Sequence, residues 1–219
     1  VGHDSHIPFD VVRNLENTLA WLRTNEPVLA RALEAHEILD FGCLKNYSHN
    51  VARGWSSDRW ALVGEAGAFA DPLYSPGSDF IALANSFTEE MIRRDLAGED
   101  LARRARELSA LYRALVGNCI ELYAGAALVY GHPSALLAKV YWDNFAYWSY
   151  TCHLFLQGLY RLTGPAFDEL MPIGLRFAQL GRWMQAILAG WAARAPEETR
   201  PGFHAMPSYP SVLIEAHMA

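Results

Sequence analysis

The residues best suited to chemistry lie in one stretch, Trp60-Ala61-Leu62-Val63-Gly64-Glu65-Ala66-Gly67-Ala68-Phe69-Ala70-Asp71-Pro72-Leu73-Tyr74-Ser75-Pro76-Gly77-Ser78-Asp79. Trp60 to Val63 read as a short buried strand. Glu65 follows at its C-terminal end, where open α/β sheets place ligand-binding groups. Gly64 marks a close backbone approach or an unusual dihedral. Asp71-Pro72 stiffens the next turn, and Ser75-Pro76-Gly77-Ser78 opens a helix. Gly77 lets the backbone approach a planar ligand. The amides of Gly77 and Ser78 then lie at a helix N-terminus, where unpaired N–H groups and the helix dipole favour negative charge. The chemistry this spacing suits is recognition of a flat group with an electron-rich edge.

The elements that must position this stretch are mostly helical. Ser78 is the expected cap of the helix after Gly77, with Asp79 in its first turn, Phe80, Leu83, Ala84, Phe87 and Met91 as its apolar face, and Gly98 as its end. Upstream, Val12, Leu15, Leu19 and Leu22 predict one helix over about Val11 to Arg23. Pro27 suits the first turn of a second helix, with Leu29, Leu33 and His36 on one stripe. Phe41, Cys43, Leu44 and Tyr47 suit a strand, and Arg53 to Asp58 a turn into Trp60. His49 reads either as a hydrogen-bonded structural histidine or as a group near the site.

Downstream, Leu101, Leu108, Leu111, Tyr112, Leu115, Cys119 and Leu122 predict one long helix. Arg103, Arg104 and Arg106 among Glu99, Asp100 and Glu107 read as its solvated face. Gly131-His132-Pro133 breaks the chain, with Ser134 as the next cap. The helix that follows is aromatic, carrying Tyr141, Trp142, Phe145, Tyr147, Trp148, Tyr150, Phe155 and Tyr160. Burial as a core helix is one reading; the other is that Trp142, Phe145 or Trp148 lines an aromatic substrate pocket. After Thr163-Gly164-Pro165, a last helical region is predicted with an interruption near Pro172. Its apolar residues are Leu170, Leu175, Phe177, Leu180, Trp183, Met184, Ile187 and Leu188. Beyond Pro196 the prolines 201, 207 and 210 predict an irregular tail.

Composition bounds the function. A chain of 219 residues that is 52% apolar can build a substantial core. Its net charge of -6, with no basic stripe, argues against nucleic acid as a partner. Cys43, Cys119 and Cys152 are scattered and form no Cys-x-x-Cys pair, so neither a zinc site nor a disulfide framework is expected, and a reducing cytoplasm fits. His3 and His6 share a helix spacing but have no third ligand nearby; no metal site is expected. Val1-Gly2-His3-Asp4 is unlike a leader, and the apolar span Leu122 to Val140 is broken by Gly131-His132-Pro133 and Lys139, so no membrane segment is expected.

Gly64-Glu65-Ala66 followed by Asp71-Pro72-Leu73-Tyr74-Ser75-Pro76-Gly77 resembles the pattern of flavin-dependent halogenases and related group A flavoprotein monooxygenases: Gly-Asp-Ala, a few small or aromatic residues, then Asp-Pro-x-x-Ser-x-Gly and a helix. The resemblance covers about Tyr47 to Leu96. It implies FAD as cofactor. Glu65, one methylene longer than the family's Asp, would bind the ribityl chain. Gly64, Asp71, Pro72 and Ser75 would shape the loop against the ring, and the Gly77 and Ser78 amides would face the pyrimidine edge. Halogenases also form a halide site around Ser-x-Gly, but Pro76 lacks an N–H there. Tyr74 stands where tryptophan-specific halogenases carry a catalytic Glu, which argues against tryptophan halogenation, leaves the catalytic residues unassigned and makes Tyr74 a candidate substrate contact beside Trp142, Phe145 and Trp148.

The resemblance further implies a fold that is mainly α with a small β contribution: the C-terminal part of an α/β FAD-binding (p-hydroxybenzoate hydroxylase-like) fold plus a helical C-terminal domain. The segments are 1–58, the end of a substrate-side region; 59–97, the flavin-ring strand, loop and helix; and 98–219, helices and tail. No Gly-x-Gly-x-x-Gly occurs, so an N-terminal FAD-binding half is expected outside these residues. The implied activity is oxidation of an aromatic or carrier-bound small molecule through a flavin hydroperoxide, with a separate flavin reductase or NAD(P)H as electron source. The alternative is a helical binding or assembly module with a vestigial flavin loop, which Glu65 in place of Asp keeps open.

Overall fold

The computed structural model describes residues 7–124 and 126–194; His3, His6 and the expected irregular tail lie outside them. The chain divides into two compact units, Val1–Tyr47 and Ser48–Ala219. Segments 59–97 and 98–219 thus fall within one unit.

In the first unit, α1 (Phe9–Val12) packs on α2 (Leu15–Asn25), which packs on α3 (Pro27–Glu34). The single helix expected over Val11 to Arg23 is split, because Asn14 turns out of the helix and its Oδ1 accepts from the Asn17 amide at 2.8 Å. An Asn side chain that satisfies an orphan amide favours a cap over a helix interior. Pro27 does occupy the first turn of α3, but Ala30 is its buried residue, Leu29 is exposed and His36 lies past its end. Residues 38–47 form no strand: Phe41, Cys43, Leu44 and Tyr47 have no pairing partner among the described residues, and an unpaired strand leaves its backbone groups unsatisfied.

The second unit is built on α4 (Pro76–Leu96) and α5 (Ala102–Tyr123). The expected face Phe80, Leu83, Ala84, Phe87 and Met91 is buried in its core against Leu108, Leu111, Tyr112 and Leu115. Trp55 completes this core at 1% exposure, edge-on to Phe87 and Tyr112 with ring centres 5.3 and 5.2 Å away, while its indole N–H donates to Thr88 Oγ1 at 3.0 Å. Trp60 to Val63 is not a buried strand. Ala61 makes one isolated bridge to Trp55, and Trp60 and Val63 are exposed.

The arginine run is not simply a solvated face. Arg104 is 3% exposed and holds Glu90 through Nε at 2.7 Å and Nη2 at 2.8 Å. Its remaining hydrogens reach Glu107, the Leu162 carbonyl and the Tyr160 carbonyl. Residue 104 faces the partner helix, whereas Arg103 stays exposed in its pair with Glu107.

The remaining elements of this unit after α5 are α6 (Ala127–Tyr130), α7 (Pro133–Ala146), a π-helical turn (Tyr147–Cys152), α8 (His153–Leu156), a 3-10 turn (Leu159–Arg161) and α9 (Pro165–Arg194). The aromatic helix is therefore not uniform: the π-turn interrupts it after Ala146. Caps fall one residue before proline rather than after it. Pro76 and Pro133 take the first helical positions, so Ser75, not Ser78, and His132, not Ser134, are the N-caps; His132 Nδ1 accepts from the Ala135 amide at 3.1 Å. The α9 helix runs unbroken through Pro172, packed on α5, α6 and α7, although Leu175, Leu180, Trp183 and Ile187 on it are exposed. Burial of its other side offsets the backbone bond the proline removes. No helix among the described residues is long and apolar enough to cross a membrane.

Candidate functional site

Gly64 adopts φ +61, the left-handed conformation that glycine adopts without steric cost, and starts a 3-10 turn, Gly64–Ala66, that packs on α4. Glu65 sits in this turn, exposed, rather than at a strand end. Residues 48 and 49 hold the segment from the side. The backbones of His49 and Phe69 pair at 2.7 and 3.1 Å, His49 Nε2 lies 2.8 Å from the Glu65 carbonyl oxygen, and the Ser48 hydroxyl donates to the Ala70 carbonyl. His49 thus takes its structural reading while lying against the site.

The second half is a tight turn. Asp71 Oδ1 accepts from the Leu73 amide at 2.9 Å, and the Ser75 amide donates to the Pro72 carbonyl at 3.0 Å. Tyr74 and Ser75 are both left-handed, with φ +63 and +56. Such a conformation is uncommon for residues with a Cβ and costs roughly 1–3 kcal/mol at each position, and strain of this kind concentrates at ligand clamps. It swings the chain into α4 so that the first turn has two faces. Pro76, Asp79 and Phe80 point inward, whereas Gly77 and Ser78 are exposed. A Cβ on Gly77 would meet nothing within 4 Å, so the surface there is open to a flat ligand. The Ser78 amide is turned back to the Ser75 carbonyl at 3.3 Å, which leaves Gly77 the better placed of the two expected donors.

Behind the inward face lies a cavity of about 90 Å³. Phe80, Leu115, Trp142, Tyr150 and Phe177 make it apolar; its carboxylates are Asp79 and Glu121, the latter paired with Arg182 at 2.8 Å. The Trp142 Nε1 is buried without an acceptor among the described residues. Phe145 and Trp148 are exposed and are not among the lining residues. Burial raises the Asp79 carboxyl above the ordinary range, opposed by a hydrogen bond from Tyr147. Burial likewise pushes the Cys119 thiol in the cavity wall to about 12.

A second group of residues, unmarked as a site by sequence, surrounds Tyr74. Its phenol lies beside the Asp143 carboxyl. Asp143 is 4% exposed and Lys139 0%, and they pair at 2.8 Å. The Lys139 ammonium also donates to the Leu122 carbonyl and to Gln185 Oε1, each at 2.9 Å, while Gln185 donates to Asp143 at 3.3 Å. Burial raises the Asp143 carboxyl against the pull of Lys139, and burial with the nearby Asp143 charge raises the Tyr74 phenol. The Tyr123 hydroxyl donates to the Leu73 carbonyl, and its ring lies 6.4 Å from that of Tyr74. The signal in the sequence was Lys139 and Asp143 four residues apart inside an apolar span.

No family model and no solved structure matches the chain. Among characterised proteins, it is 25% identical over 169 residues to the flavin-dependent halogenase chlA of Dictyostelium discoideum, a match that covers 76% of this chain and 28% of that protein. The chain thus spans under a third of the length of the relative it matches, and over that span its sequence is halogenase-like.

Proposed function

We propose that this chain is the part of a flavin-dependent, halogenase-like oxidoreductase that carries the flavin-ring loop and one wall of the substrate pocket. The observation that carries the reading is the strained Tyr74–Ser75 turn leading into an open, exposed Gly77 at the start of α4, in a chain similar to a flavin-dependent halogenase. FAD would supply the redox chemistry with oxygen. Glu65 would take the ribityl chain, Asp71, Pro72 and Ser75 would shape the loop, and the amides at Gly77 and Ser78 would lie at the ring's electron-rich edge. The open face at Gly77 fits a planar group. The ADP half of FAD and the electron source, a flavin reductase or NAD(P)H, would come from elsewhere.

The cavity behind the same turn would take an apolar ring of a small aromatic or carrier-bound substrate, with Trp142 N–H and Asp79 as its polar contacts. Pro76 offers no amide to a halide, which weighs against efficient halogenation. The test is the visible spectrum and FAD affinity of the intact protein. A yellow protein with flavin absorbance supports the reading, and a colourless one that takes up no FAD overturns it. The latter result favours a helical binding module with a vestigial loop, the reading that Glu65 in place of Asp supports.

A further inference from the structure

Two non-glycine residues in succession are left-handed at Tyr74 and Ser75, and something must hold them there. Local bonds are few: the Ser75 amide to Pro72 and the Leu73 amide to Asp71. The remaining restraint comes from three helices. From α5, Tyr123 donates to the Leu73 carbonyl and sets its ring against Tyr74. From α7, the Asp143 carboxylate lies beside the Tyr74 phenol. Asp143 is itself fixed by Lys139 on its own helix and by Gln185 on α9. Lys139 donates to the Leu122 carbonyl and to Gln185, each at 2.9 Å, and its ammonium stands 2.8 Å from Asp143 Oδ2. A buried ion pair held from three sides is a rigid anchor, although replacing it by apolar groups is often neutral for stability. Its presence beside a strained turn therefore calls for a reason other than stability.

We propose that Tyr123 and Asp143 are positioning residues for the flavin loop: they hold the Tyr74–Ser75 turn left-handed, so that the Gly77 amide and the first turn of α4 face the bound ring. The role in flavin binding rests on the function proposed above, whereas the hold on the turn does not.

The test uses two variants of the intact protein. Tyr123→Phe removes only the hydroxyl that reaches Leu73. The pair Lys139→Met with Asp143→Leu removes the anchor without stranding a buried charge. Amide hydrogen exchange at Leu73, Ser75 and Ser78, the hydrogen-bonded amides of the turn, should speed up roughly tenfold in both, with the amides of α5 and α7 unchanged. Bound FAD should be held roughly tenfold more weakly, with a shifted visible band. Unchanged exchange at the turn in both variants overturns the proposal. Faster exchange with unaltered flavin affinity and spectrum overturns the positioning role and leaves the contacts merely structural. If the unsubstituted protein takes up no FAD, the proposed function fails, and the role in flavin binding fails with it, while the exchange rates still decide whether these residues hold the turn.

Discussion

The Tyr147 hydroxyl donates to Asp79 Oδ1 across 3.0 Å, joining the π-helical turn to the first turn of α4. π-helical turns inside helices occur often at functional sites, and this one faces the cavity through Tyr147 and Tyr150. Burial raises the Asp79 carboxyl and the Tyr147 bond lowers it in part. A carboxyl raised in the folded state stabilises fully below its unfolded value of about 3.9, and that contribution is lost as pH rises through the folded value. Asp79→Asn should therefore gain about 2 °C in melting temperature relative to the parent at pH 7, with the gain disappearing near pH 3. A difference that does not depend on pH would contradict this account of Asp79.

Arg104 and Arg103 are neighbours in sequence with opposite environments. Arg104→Leu removes the buried cation between Glu90 and Glu107, leaving them only Arg94 and Arg103, and should cost up to about 3–5 kcal/mol in urea unfolding. Arg103→Leu loses only the exposed partner of Glu107, which keeps Arg104, and should cost less than about 1 kcal/mol. Equal losses would mean that the burial of Arg104 does not matter.

Gly77→Val places a side chain into open space beside the loop, so the fold should tolerate it. FAD affinity should fall more than about tenfold, because the branched side chain occupies the face reserved for the ring and each 1.4 kcal/mol lost is tenfold. The flavin loop is misassigned if the variant keeps normal flavin absorbance and reduction potential.

Pro76 withholds one amide from an anion at the loop. Pro76→Thr restores an N–H at the first position of α4. Chloride or bromide titrated against the flavin absorbance should then bind roughly tenfold more tightly, as expected for one added hydrogen bond to a charged group. Efficient halogenation by the unsubstituted protein, with halide held at this loop, would show that another donor serves.

The residues themselves carried the helical elements and the loop chemistry. Phe80, Leu83, Phe87 and Met91 recur at helical spacing, and that spacing alone predicts which side of α4 is buried. Pro27 announces a helix start because its fixed φ and missing N–H suit a first turn, and Thr163-Gly164-Pro165 announces the break before α9. Gly64 announced its unusual dihedral for an equally local reason.

What depended on neighbours distant in sequence was decided by the tertiary structure. Trp60 to Val63 has the composition of a strand, but among the described residues only Trp55 pairs with it, and a strand is defined by its partner. Arg104 looks like Arg103 in sequence; Glu90, fourteen residues away, and the carbonyls of Tyr160 and Leu162 make it a buried anchor. The sequence by itself determined the glycine turn at Gly64 and the helix start after Ser75, in a stretch that resembles a flavin-binding loop. Tertiary structure alone decided that Tyr74 meets Asp143, that Lys139 lies beneath them, and that Trp142 rather than Trp148 faces the cavity, because packing of α5, α7 and α9 brings together groups that local spacing cannot align.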